Sequence, residues 1–403
     1  MLRITRTKIV LAVLFAGAFT MGSAEMLVVG MLDLLVADLG VSIAAAGALV
    51  TANALGLALG GPILTALTAR WDRRRVLLGA GAVFVAVTLV PVLLPAYDLF
   101  LALRGVGGAA QGLFIAAAIT TATSVVPPAR AGRAMATVIS GFASASALGL
   151  PLGTLLGQAM GWRVSFAVVT AVAIVVLTVG WRVLPSVPAR SETRMGGLAR
   201  AALAPRVLAL LAVCALVFTA IQSALTYLVP LLLDVTGVAA PAVGVYLMLY
   251  GVTTTLGSAA GGRFADAGAA RTLVIGSIGV AASLALLWLG SDSALLAGLA
   301  VAGIGVFGMG MAPSMQHRVA ELAGPGAPLA ASLPSSAVNV GIAAGSLLGG
   351  AGVDTVGLTA ASATGAVVAV LAIVAALVTS PLRPPTETTT LPASLAHSRK
   401  DPA

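Results

Sequence analysis

Twelve stretches of about twenty apolar residues, parted by short polar loops, constrain this 403-residue chain more than any other feature. The first begins at Ile9 and continues past Leu32. Five more fall at about 44–68, 76–94, 99–125, 134–160 and 164–184. After a less apolar connector come 207–233, 242–264, 272–289, 294–312, 327–351 and 358–379. A bilayer core about 30 Å thick is crossed by about 20 residues of helix, so each stretch is a candidate span. Hydrocarbon offers the backbone no water to bond, which selects helices for the crossing. Composition excludes a soluble domain: 59% of the residues are hydrophobic and only 9% charged, with mean hydropathy +1.09. Ordinary globular chains carry about a quarter charged residues. The first stretch outruns a signal-peptide core of about 7–15 residues, so it reads as a retained helix.

The net charge of +9 does not point to nucleic acid, because its distribution carries orientation instead. With the N-terminus on one side, 20 of the 22 Lys and Arg residues fall on that side, leaving Arg163 opposite and Arg104 within a span. The positive-inside rule then puts both termini and the central connector of a multi-pass membrane protein in the cytoplasm. The single cysteine, Cys214, excludes an intrachain disulfide. The expected organisation is a six-helix bundle at 1–185, a cytoplasmic connector at 186–205, a second six-helix bundle at 206–380 and a disordered tail at 381–403.

The fifth stretch contains Gly149, Gly153 and Gly157, one every fourth residue, with Pro151 among them. Glycine at this spacing bares one helix face for close packing, and the proline bends the axis. Trp162 and Arg163, just beyond the helix end expected at Gly161, suit a membrane interface. The pattern recurs at Gly341, Gly345 and Gly349, an offset of 192. The loop from Gly60 to Arg75 likewise resembles the one from Gly261 to Arg271. Two matched motifs argue for a duplicated six-helix unit.

G-x-P-x-G-x-x-x-G followed by G-W-R-x-x-F resembles the antiporter signature of helix 5 in the major facilitator superfamily. The likeness is to its 12-helix drug:proton antiporters, and more narrowly to the chloramphenicol-resistance and arabinose-efflux-type permeases. The resemblance implies an all-α membrane protein of twelve transmembrane helices in two pseudo-symmetric bundles. Arg70, Arg73, Arg74 and Arg75 match the basic part of the family's cytoplasmic gating loop, G-x-x-x-D-R-x-G-R-R. Ala69 stands in place of its acid and Asp72 in place of its glycine, so either the latch is weaker here or Asp72 substitutes. The second-half copy keeps Asp266 and Gly268. These arginines also serve to set topology.

An ionisable group inside the bilayer is expensive and so a functional candidate. Glu25, Asp33 and Arg104 qualify. Glu25 lies about 24 Å along helix 1 and Arg104 about 8 Å into helix 4, both in the outer half. They are expected to face one another, as a proton-coupling pair or as a structural salt bridge. The surroundings of Glu25 resemble the family's helix 1 pattern G-T-x-E-F-x-x-x-G-L-L-P, and Arg104 to Gly112 its R-x-x-x-G-x-x-x-G element, which is associated with proton transfer. Asp33 replaces the family proline and reads equally as a solvated helix end. Asn53, Gln111, Gln222, Tyr227, Tyr246, Tyr250 and Asn339 are candidates for lining a substrate cavity or for bonding helix to helix.

No metal-ligand cluster or phosphate-binding loop accompanies His317, expected in a loop, or His397, in the tail, so no enzyme, cofactor or metal is expected. The reading is a monomeric, proton-coupled exporter of a small amphiphile, with chloramphenicol the first compound to consider. Export of a sugar or other metabolite, and a substrate-sensing receptor, remain the alternatives.

Overall fold

The computed structural model describes residues 2–188, 203–330 and 333–384. Among them eleven helices are long and apolar enough to cross a membrane. The first bundle holds α1 (Leu2–Gly30), α2 (Ile43–Leu67), α3 (Arg73–Leu93), α4 (Tyr97–Ser124), α5 (Pro128–Met160) and α6 (Trp162–Val183). The second begins with α7 (Pro205–Leu225) and ends with α10 (Ala294–Ala323), α11 (Leu333–Val356) and α12 (Thr359–Thr379). Between α7 and α10 runs one fifty-residue stretch of helix, Ala240–Leu289. Straight, it would measure about 75 Å, far more than a bilayer. It leaves helical geometry at Gly268 (φ 161°, ψ 83°). Its two arms, α8 (240–267) and α9 (269–289), lie side by side, since Gly257 meets Val306 and Gly279 meets Phe307 of the same α10 turn. Twelve crossings result, the α-helical architecture that the apolar pattern implies.

Several boundaries differ from expectation. The first helix starts at Leu2 rather than Ile9 and breaks at Met31, after which a short helix, Leu32–Leu39, leads to Gly40 at φ 65°. α10 runs to Ala323 instead of 312, which makes His317 helical and not a loop residue. That extension buries Met315, Val319 and Leu322 on one face, an amphipathic pattern that a search for unbroken apolar runs stops short of. The connector at 186–205 falls partly, and the tail at 381–403 mostly, outside the described residues.

Glycine contacts explain how the bundles form. A Cβ built on Gly149, Gly153 or Gly157 of α5 would lie 2.1 Å from Ser23 or Leu27 of α1 or from Met31 just beyond it. On α11, Gly341, Gly345 and Gly349 press against the carbonyls of Ala215, Thr219 and Ser223 of α7, each at 2.4 Å by the same construction. Motif and partner are both displaced by 192 residues, so the duplication extends to the register of the contact. In α2 and α4, Gly56 meets Gly105 and Gly60 meets Ala109; in α8 and α10, Gly257 meets Val306 and Gly261 meets Gly310. Here the displacement is 201 on both sides of each contact. Pro151 removes a donor from α5, and a π-helical turn, Ala145–Gly149, absorbs the fault just ahead of it.

The bundles meet along a seam closed at the end away from the chain termini. There Thr51 Oγ1 donates to the Ala343 carbonyl at 3.3 Å and Ser346 Oγ to the Gly47 carbonyl at 2.8 Å. Tyr227, fully buried, wedges its hydroxyl between Gly47 and Gly350 and donates to the Ser346 carbonyl at 2.7 Å.

At the opposite end, the loop between α2 and α3 is bound within its own bundle. Asp72 caps α3, accepting from the Arg74 amide at 2.9 Å and from the Ser186 hydroxyl. Buried Arg73 donates to the Thr68 carbonyl at 3.2 Å and to that of Ala69, while Arg74 reaches the Trp181 carbonyl. Arg70 and Arg75 are exposed, as is Asp266 near the end of α8. In the second bundle Arg318 pairs with Glu321 at 2.9 Å and donates to the Ser380 carbonyl at 3.1 Å, tying α10 to the end of α12.

Two predictions follow from this packing. Gly349→Ala forces the Ser223 backbone aside and lowers the thermal midpoint in detergent by an amount equivalent to about 1–3 kcal/mol. Gly79→Ala, with nothing within 4 Å of its new methyl, leaves the midpoint unchanged or raises it. Asp72 is the second case. Burial opposes its charge, but the Ser186 hydroxyl, the amides of Arg74 and Arg75 and the Arg75 charge together hold its carboxyl below the ordinary 3.8. The stabilisation is therefore complete above pH 3.8 and is lost as pH falls through the lower folded value. Asp72→Ala accordingly costs about 1 kcal/mol at pH 7. The difference from wild type in melting temperature closes as the pH is taken below that value.

Candidate functional site

Glu25 lies on α1 and is 5% exposed, deep in an apolar bundle. An unpartnered carboxylate there costs several kcal/mol, so its neighbours decide what it does. Gln111 of α4 donates its Nε2 to Glu25 Oε2 at 2.7 Å. Arg104, two turns earlier on α4, directs its donors to main-chain carbonyls: Nε to Leu49 at 3.2 Å, Nη1 to Ala24 at 3.1 Å and Nη2 to Glu25 at 3.3 Å. The expected ion pair between Arg104 and the Glu25 carboxylate does not form among these contacts. The guanidinium instead fastens α1 and α2 to α4, a task suited to its forked, permanently charged group.

Glycine sets this arrangement up. A Cβ on Gly108 would lie 2.0 Å from the Asn53 carbonyl, and one on Gly56 would lie 2.0 Å from the Gly105 carbonyl. The close approach of α4 to α2 brings Arg104 within reach of Leu49 and puts Asn53 beside the acid. Glu25, Asn53, Arg104 and Gln111 line one small cavity with Thr88, Phe100 and Phe166, with room for about one water molecule. Asn53 Nδ2 is buried without a hydrogen-bond partner among the described residues. The lining comes entirely from the first bundle.

The other expected residues are not gathered there. Asp33, on the short helix after α1, is half-buried and accepts from Gln158 Nε2 of α5 at 3.0 Å, which is neither a free helix end nor a neighbour of Glu25. Gln222 bonds Thr226 within the α7 segment at 2.9 Å, and Asn339 bonds the Ser335 carbonyl within α11 at 2.9 Å. Tyr246 links α8 to the start of α10 through the Ala294 carbonyl at 3.0 Å. Tyr250 is half-buried against the core of the second bundle, and Tyr227 is part of the seam. The seven polar candidates thus occupy several separate places, and only Asn53 and Gln111 join the acid.

Sequence reasoning passed over a surface pair at the end of the first bundle away from the N-terminus. Asp38 bonds Arg163 at 2.7 Å and accepts from Trp162 Nε1 at 3.0 Å. The Arg163 hydrogen bond, working against burial and joined by the indole, holds the Asp38 carboxyl below its ordinary value. The signal was present: Arg163 is the one basic loop residue on the side that the positive-inside count leaves bare, and an acid beside it was the thing to look for.

Comparison with known proteins agrees with this architecture. The sequence pattern of the Major Facilitator Superfamily matches residues 14–326 and 211–402. The chain is 34% identical over 337 residues to a chloramphenicol resistance protein of Streptomyces lividans, covering 81% of this chain and 85% of that one. It is 28% identical over 360 residues to a probable sugar efflux transporter of Pasteurella multocida, covering 88% of each. Among solved structures, a bacterial homologue of the human lysosomal transporter Spinster, in an inward-facing and unoccupied conformation, superposes with a TM-score of 0.73 at 16% identity, over 93% of this chain and 95% of that one. The chain is a multi-pass membrane transporter, not an enzyme, and it belongs to the major facilitator superfamily.

Proposed function

We propose that this transporter is a proton-coupled antiporter that exports a small amphiphilic compound, with chloramphenicol the first to test. The observation that carries the reading is Glu25: an acid buried in the first bundle, held by Gln111 and set beside a guanidinium that fastens three helices. Its carboxylate is the only group in that cavity able to gain a proton and thereby lose its charge. Protonation turns Oε2 from a charged acceptor of the Gln111 amide into a neutral one and weakens that bond. Because Arg104 ties the main chain of Glu25 to α2 and α4, a change at the carboxylate reaches α2, which bonds the second bundle through Thr51.

The two units proposed are 1–185 and 206–380, joined by a cytoplasmic connector at 186–205 and followed by a tail at 381–403, with both termini in the cytoplasm of the bacterial inner membrane and the monomer as the working unit. In that orientation the seam is closed on the outer side, which suits loading from the cytoplasm. Asp33, Gln222, Tyr227, Tyr246, Tyr250 and Asn339 stay candidates for coupling or substrate contact as alternatives to their structural bonds. For Arg70, Asp72, Arg73, Arg74, Arg75 and Asp266 the proposal is a gating loop, with Asp72 serving as a helix cap. Few charges are available to a central cavity, which favours a neutral or weakly polar cargo over a strongly anionic one. The Streptomyces lividans relative supports an antibiotic; the Pasteurella multocida relative supports a sugar as the second reading.

Glu25→Gln keeps an amide in place of the acid and is expected to fold normally while losing all proton-driven accumulation of substrate in everted vesicles. Retained, gradient-dependent uptake in that variant removes Glu25 from the mechanism. Arg104→Lys, whose donors all sit on one nitrogen and cannot span carbonyls on two helices as the fork does, lowers the thermal midpoint as well as transport. A susceptibility panel on cells expressing the chain separates the cargoes: raised tolerance to chloramphenicol-type compounds supports the first reading, and unchanged tolerance with sugar export supports the second.

A further inference from the structure

We propose that the rings of Phe100, Trp162 and Phe166 plug the outer end of the first bundle, and that the proton taken up by Glu25 passes this plug inside the bundle rather than along the seam between bundles. This rests on the proton-coupled reading above and supplies a route to the same acid.

Phe100 and Phe166 line the cavity that holds Glu25, Asn53, Arg104 and Gln111. Phe100 stacks on Trp162 at 14°, Phe166 meets both rings edge-on at 84°, and all three centroid separations are 5.7 Å. None of the three is more than 2% exposed. Beyond them Trp162 Nε1 donates to Asp38, whose partner Arg163 lies with its guanidinium carbon 4.9 Å from the Trp162 ring. The side chains of Asp38 and Arg163 are 33% and 39% exposed, so they meet water. One column of contacts therefore runs from a wetted ion pair, through a layer of rings, to the chamber of the acid. No residue of the second bundle lines that chamber.

Closed, the ring layer offers no chain of polar groups along which a proton can hop, and it isolates the acid. The charged and titratable groups around the route are Arg104 and Tyr97 from α4, Arg163 from α6, Tyr227 from the second bundle and Asp38 beyond α1; Tyr97 donates to the Ala45 carbonyl, Tyr227 to that of Ser346, and Asp33 is held aside by Gln158. On the inner side the buried, unpartnered Asn53 Nδ2 and the room for about one water make a natural relay point. A proton arriving there as hydronium passes to the Glu25 carboxylate, leaving a neutral water and a carboxylic acid. The bond from Trp162 to Asp38 ties the position of the rings to the surface ion pair, which makes that pair the handle by which the plug moves.

The test uses the full chain in liposomes loaded with a pH-sensitive dye, without substrate, after an acid step outside. Phe100→Ala and Phe166→Ala are expected to raise the proton leak at least several-fold over wild type, and adding Glu25→Gln to either returns it to the wild-type level. Trp162→Phe keeps a ring in the layer, removes only the Asp38 bond and serves where an alanine variant does not fold; it too raises the leak. Folded variants that leak no more than wild type overturn the plug, and a leak that survives Glu25→Gln overturns the route. Substrate-driven proton movement by wild type is measured in the same vesicles. Its absence defeats the antiporter reading itself, whereas its presence with tight plug variants defeats only the inference drawn here.

Discussion

Backbone-to-backbone contact at glycine is the interaction on which the rest of this molecule depends. In a bilayer there is little hydrophobic gain in moving a helix from lipid to another helix, so close van der Waals fit has to do the work. Gly149, Gly153 and Gly157 supply it between α5 and α1, and Gly341, Gly345 and Gly349 supply it between α11 and α7. Gly108 does the same for α4 against α2, at the height where Arg104 reaches across to Leu49. Without that proximity the guanidinium would have no carbonyls to bind, and Glu25 would have neither Gln111 nor Asn53 beside it. Packing precedes chemistry here.

Dryness is the second constraint. The hydroxyls of Thr20, Ser23, Thr88 and Thr170 each bond the carbonyl four residues back in their own helix, which disposes of a polar group without a neighbour's help. Arg73 finds carbonyls close by in sequence, but Arg104 and Arg318 reach beyond their own helices. Arg104 needs three carbonyls from two other helices, and Arg318 needs Glu321 together with the end of α12. These two arginines thereby act as cross-ties between helices, one in each bundle.

How much of this was legible in the sequence follows from the same physics. The crossings were, because about twenty apolar residues in a row have one use in a membrane, and the doubling was, because glycine spacing survives where side chains drift. Glu25 and Arg104 were legible as buried ionisable residues on neighbouring helices. Their partners were not. A helix apolar on all sides gives no sign of which way it is turned, so the choice between the Glu25 carboxylate and its carbonyl as the target of Arg104 was invisible. For the same reason the place of Tyr227 in the seam could not be told from its two readings, cavity residue or helix-to-helix bond, and the aromatic trio around Trp162 gave no warning of itself. His317 was misplaced in a loop because α10 turns amphipathic beyond Gly310.

Among the described residues, the side-chain bonds that cross the seam, from Thr51 to Ala343 and from Ser346 to Gly47, are neutral hydroxyl-to-carbonyl bonds, and no ion pair accompanies them. Each such bond contributes about 0.5–1.5 kcal/mol. Their release lies within the span of about 1–3 kcal/mol that ligands typically exchange between distant sites. A fastening of this kind is indifferent to ionic strength, and it lets go without stranding a charge in hydrocarbon. The closed face of the protein is built less like a lock than like a hook-and-loop strip, firm in aggregate and easily peeled.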